Sequence, residues 1–81
     1  MTAPDAILDR LVRVAREARD NGYGSLSLED KLCAALALNS AYTVAMLGYT
    51  IPEAIDRAGL ECAARLLRVQ RIIHADAAQA A

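Results

Sequence analysis

Apolar positions near the start of the chain recur with helical spacing. Ile7, Leu8, Leu11, Val12, Val14, Ala15 and Ala18 fall on about half of a wheel turned at roughly 100° per residue, and Asp9, Arg10, Arg13, Arg16, Glu17 and Asp20 take the other half. The pattern predicts an amphipathic helix over roughly 3–21, one face against a core and one in water. Thr2 with Asp5 has the capping-box spacing, Pro4 falls in the first turn, and Asn21-Gly22 is the stop. Asp9 with Arg13, Arg13 with Glu17, and Arg16 with Asp20 are spaced to pair along the wet face.

The next segment differs in kind. Ser27 and Asp30 mark its start, and it is read as one helix to Leu47, before Gly48. From Leu32 to Leu47 it carries no charge, and its apolar residues point all round the wheel. Such a helix must be covered on every side, by the centre of a bundle or by a second copy. Leu36, Leu38, Tyr42 and Met46 are therefore the candidate self-association residues, with a homodimer as the expected state. At about 24 Å the run is shorter than a hydrocarbon core, and it holds Asn39, Ser40 and Thr43, so it is read as buried in protein and not in a membrane.

Thr50-Ile51-Pro52-Glu53 has the form of a capping box with proline in the first turn, and the helix it opens is brief, ending at Gly59. From Leu60 onward, Leu60, Ala63, Leu66, Leu67 and Ile73 share one broad face, and Glu61, Arg65, Arg68 and Arg71 the other. The tail over 77–81 is expected to fray. These signals predict an all-α fold: a compact bundle of four helices, roughly 3–21, 27–47, 51–58 and 60–77, with a short third helix and no sheet. The second helix lies at its centre, and residues 1–81 form a single helical domain.

Composition narrows the function classes. With 56% apolar positions, 23% charged, and nine basic against ten acidic residues among 81, the chain is neither a disordered tail, a polybasic nucleic-acid arm nor a multi-domain enzyme. Eighteen alanines and no Phe or Trp make a core that gains stability from close helix approach and has little volume for a ligand cavity. Eight of the nine basic residues are Arg, which with the alanine excess is the habit of a GC-rich bacterial or phage genome. The opening residues lack the basic and apolar regions of a secretory signal, so a cytoplasmic protein with reduced thiols is expected.

Few constellations carry chemistry. Residues 44–57, with Val44-Ala45-Met46-Leu47-Gly48-Tyr49-Thr50, resemble a helix-turn-helix, but the would-be reading helix offers Glu53 and Asp56 against Arg57, and phosphate would repel it. Nucleic acid is thus possible and disfavoured. Arg65, Arg68 and Arg71 form a basic stripe that an acidic partner could meet; a solvated face with local pairs, using Glu61 and Asp76, looks the same. Tyr42 and Tyr49 are candidate partner anchors, as is common for exposed tyrosines. Cys62 and His74 stand about 18 Å apart on one expected helix, Cys33 is expected to be buried and inert, and His74 to be partly buried. With no nucleophile beside a base, an enzyme is not expected, and neither a metal nor a cofactor is implied.

Leu28-Glu29-Asp30-Lys31-Leu32-Cys33-Ala34-Ala35-Leu36-Ala37-Leu38-Asn39 and Leu47-Gly48-Tyr49-Thr50-Ile51-Pro52-Glu53-Ala54-Ile55-Asp56-Arg57 resemble small uncharacterised helical accessory proteins of proteobacteria and their phages. The resemblance spans about a third of the chain and implies a phage or mobile-element setting, with no functional residue to carry over. Small helical proteins in that setting often bind a host protein, anti-CRISPR proteins among them, and that analogy makes a protein-binding module, able to inhibit what it binds, the expectation. A helix-turn-helix regulator using 44–57 is the alternative.

Overall fold

A computed structural model describes residues 4–80, which form six helices and no strand. They are α1 (Ala6–Asn21), α2 (Leu28–Ala37), α3 (Ala41–Met46), α4 (Ile51–Ala58), α5 (Leu60–Ala63) and α6 (Leu66–Ala80). The all-α class holds, and the count of four helices does not. Two of the expected helices are each broken in two, for local reasons.

The first break falls at Leu38-Asn39-Ser40. Asn39 takes a left-handed φ of 57°, which an asparagine tolerates better than most residues. Its amide bonds to the Leu36 carbonyl and that of Ser40 to the Ala35 carbonyl, the paired bonds of a Schellman ending. Ser40 then caps α3, its hydroxyl accepting from the Thr43 amide at 3.3 Å. The pattern repeats one element later, where Gly48 at φ 89° ends α3 and Thr50 opens α4 with both halves of the expected capping box.

The second break lies between α5 and α6, with neither glycine nor proline to cause it. The Arg65 amide bonds to Cys62 instead of Glu61, which tightens the turn. The Glu61 carbonyl left over accepts from the Arg65 guanidinium at 2.8 Å.

At the other end α1 begins later than expected. Asp5, in extended conformation, is the N-cap and its carboxylate accepts from the Leu8 amide at 3.0 Å, so Asp5 is not the third residue of a box opened by Thr2. Thr2 itself lies outside the described residues. The tail is helical to Ala80, past the fraying expected from 77.

The central position of the second helix holds for its first half. α2 packs against α1, α3, α4 and α6, and its residues enter three separate core clusters. Cys33 and Ala37 join Leu11, Val12, Ala15, Cys62, Val69 and Ile73; Leu32 and Ala35 join Val44 and Ala54; Ala34 joins Val14 and Ala18. Three alanines of α2 are nearly sealed from solvent, which lets the neighbouring backbones close in around it. Most of its uncharged circumference is thereby covered by its own chain. α3, by contrast, buries only Val44.

Charges clamp helices to one another instead of running along one face. Arg10 pairs with Asp30 and Arg57 with Glu29, tying α1 and α4 to α2. Arg16 grips Asp76 through two bonds of 2.7 and 2.9 Å, and Arg19 reaches the same carboxylate at 3.0 Å while also holding Asp20. The expected pairs Asp9–Arg13, Arg13–Glu17 and Arg16–Asp20 are not among the ion pairs of the described residues, because Arg16 is drawn across to α6 and Glu17 accepts from Asn21.

Candidate interaction surface

The corner at Asn39 turns α3 outward and opens a groove. Its walls are Leu36 at the end of α2, Ala41 at the start of α3, Ile51 and Ile55 on α4, and Leu66 on α6, and it encloses about 300 Å³. Asn39 and Ser40 are the polar groups in the lining, which is otherwise apolar. On α3, Val44 points into the core, so Tyr42 and Met46, two residues to either side, project from the opposite side of the helix. They are 75% and 68% exposed. Ile51 and Ile55, one turn apart on α4, are also exposed. Glu53 and Asp56 supply carboxylates on the solvent side of α4. The Glu53 carboxyl is held below its ordinary value because it accepts from the Thr50 amide.

A larger trough of about 590 Å³ runs between α1 and α6, lined by Asp9, Arg13, Arg16, Glu17 and Asp20 with Val12 and Ile72. Its charges alternate in sign, and Arg16, Asp20 and Glu17 are held by Asp76, Arg19 and Asn21 outside the lining, so it offers neither an apolar anchor nor a focused field. The smaller apolar groove is the better candidate for molecular contact.

The residues expected to bind a partner separate in the structure. Tyr42 is free at the surface, whereas Tyr49 is half-buried and packs with Tyr23 against the Leu32 cluster. Arg65 is occupied: its guanidinium bonds to Asp5 at 2.9 Å and to Glu61 at 2.8 Å. Arg68 lies 3.6 Å from the same Asp5 carboxylate, and Arg71 is exposed and in no ion pair among the described residues. The stripe is therefore divided, with Asp5 neutralising its upper end. Asp5 is held below the usual carboxylate range first by the Leu8 amide and then by Arg65.

Of the four expected self-association residues, Tyr42 and Met46 are exposed, Leu36 lines the groove, and Leu38 is half-buried against two of the clusters. Residues 44–57 form a helix, a turn and a helix, with Val44 and Ala54 in one cluster across the corner. Arg57 is tied to Glu29, so the outward face of α4 is acidic.

His74 is exposed on α6, which corrects the partly buried position expected for it; its place on the wheel is past the edge of the Val69–Ile73 stripe. Cys33 and Cys62 are both free and buried, as expected for Cys33. They belong to the same cluster, a meeting of two distant positions that spacing along the chain does not reveal. Among the described residues no group of three His, Cys, Asp or Glu side chains is arranged to hold a metal ion, and no helix is long and apolar enough to cross a membrane.

No family model, no curated protein and no solved structure matches the chain.

Proposed function

We propose that the chain is a non-catalytic contact module that binds, and by binding inhibits, a host protein in a phage or mobile-element setting. The observation that supports this reading is the large apolar side chains exposed on α3 and α4: Tyr42 and Met46 on α3, and Ile51 and Ile55 on α4, where they line the groove with Leu36 and Leu66. Large apolar side chains left in water in a chain with so small a core have a cost that docking would remove. Aromatic and methionine side chains are the types that anchor interfaces. No charged residue falls between Lys31 and Glu53 in the chain, and Glu53 and Asp56 are exposed on α4, so a partner with an apolar knob and a basic rim fits.

The test is capture from bacterial lysate by the wild type, by Tyr42→Glu and Met46→Glu, and by Arg71→Ala as a surface control, with circular dichroism reporting the fold. A stoichiometric protein captured by the wild type and Arg71→Ala, and lost with either glutamate, supports the reading. Capture indifferent to both glutamates overturns it. Binding of duplex DNA that falls steeply with salt would replace it with the helix-turn-helix reading. A concentration-dependent dimer in sedimentation, split by Tyr42→Glu, would make a second copy the occupant.

A further inference from the structure

The two thiols are the reactive groups that a contact function leaves unused. Cys33 on α2 and Cys62 on α5 are each 3% exposed and lie in one core cluster with Leu11, Ala15 and Val69. The neighbouring Cys62 and burial push the Cys33 thiol up, while Cys33, aided by the Arg10 guanidinium, draws Cys62 down against the effect of burial. Cys62 is thus the sulfur that first becomes a thiolate.

Access to it comes through α5. That helix has four residues, no side-chain cap, and a single buried side chain, which is Cys62 itself. Leu60 beside it is 83% exposed, and the Arg65–Glu61 pair that also holds α5 lies at the surface. A local opening of α5 would expose Cys62 without unpacking Leu32, Val44 and Ala54, which belong to the neighbouring cluster.

We infer that Cys33 and Cys62 form a dithiol oxidation site, which a hydroperoxide closes into an intramolecular disulfide fastening α5 to α2. The Cys62 thiolate attacks the terminal peroxide oxygen, giving a sulfenic acid and, with hydrogen peroxide, a hydroxide that is protonated to water. The Cys33 sulfur then displaces the hydroxyl from Cys62, its own proton leaving with it as a second water. Two thiols and one peroxide become one disulfide and two waters. The bond closes a loop that contains all of α3 and α4, which restricts the unfolded chain and raises the melting temperature. The site does not depend on the groove having any occupant.

The experiment treats the reduced full chain with hydrogen peroxide under native conditions, removes the peroxide, then unfolds the protein in excess iodoacetamide and weighs it. The expected product is a monomer lacking two hydrogens, taking up no alkyl group, with the Cys33 and Cys62 peptides linked on digestion. Its melting temperature is higher, and dithiothreitol reverses the change. In the reduced native protein, iodoacetamide reaches Cys62 before Cys33. In Cys33→Ala the remaining thiol gains oxygen and no internal crosslink forms. Two alkyl groups after oxidation, oxygen gain without a crosslink in the wild type, or a disulfide between two chains overturns the inference; so does equal labelling of the two thiols, the mark of global unfolding. The wild-type mass carries the test even where an alanine variant does not fold.

Discussion

α2 and α3 come from one uncharged run, and they end in opposite environments. Leu32, Cys33, Ala34, Ala35 and Ala37 are buried, on sides of α2 that meet three different clusters. In α3 only Val44 is buried, and Tyr42 and Met46 stand in water. The comparison teaches that a run apolar on all sides states a demand for cover without saying what supplies it. α2 is covered by α1, α3, α4 and α6, whereas the corner at Asn39 carries α3 past the end of that enclosure.

The sharpest way to break the comparison is to truncate one side chain in each half. Leu32 is wholly buried, and Leu32→Ala is expected to cost about 3 kcal/mol in urea unfolding, a large share of what a domain this size has. Tyr42→Ala should change stability by less than about 0.5 kcal/mol. A comparable loss at Tyr42 would mean that α3 is core.

Asn39 tests the cause of the difference. Because its φ is positive, Asn39→Val is expected to cost about 1–2 kcal/mol and Asn39→Gly almost nothing. If Asn39→Val is as stable as the wild type, with more helix by circular dichroism, the corner is not what separates the halves.

Ser40→Ala removes the hydroxyl that caps α3 and should cost about 1 kcal/mol. Amide exchange should quicken in Thr43 to Met46 and stay unchanged in α2. Quickening in both halves would show that they open as one unit.

The smallest effect is on the acid side. Arg16 and Arg19 hold the Asp76 carboxyl down to about 2, below its ordinary value, so the stability this clamp supplies is full above the ordinary aspartate range and is lost as pH falls towards 2. The clamp lies at the protein surface, where solvent screens it, and the loss should be modest. In Asp76→Asn the urea midpoint should fall less between pH 5 and pH 2 than in the wild type, with α2 and α3 equally affected because the clamp joins α1 to α6.

The candidate surface was legible in part. Tyr42, Met46 and Leu36 stand out in an uncharged run, yet the same reasoning nominated Leu38, which half-buries against α1, and Tyr49, which covers the Leu32 cluster. Residue type marks an apolar side chain; its direction depends on where the helix before it ends. Asn39-Ser40 held that information, an asparagine suited to positive φ followed by a residue suited to capping, within a stretch whose hydrophobicity argued for continuity. The break at Arg65 had no comparable sign, since it rests on a guanidinium taking a carbonyl four residues back while also meeting Asp5.

Local chemistry by itself determined the helical class, the amphipathic α1, the capping box at Thr50 and the stops at Gly22, Gly48 and Gly59, because each depends on residues within a turn or two of one another. Tertiary structure alone decided that Cys33 meets Cys62, that Asp76 is gripped from α1, and that Arg65 is spent on Asp5. Those partners lie 29 to 60 positions apart, and their meeting depends on the angles at which helices leave their corners, which small changes of backbone torsion set and no spacing along the chain records.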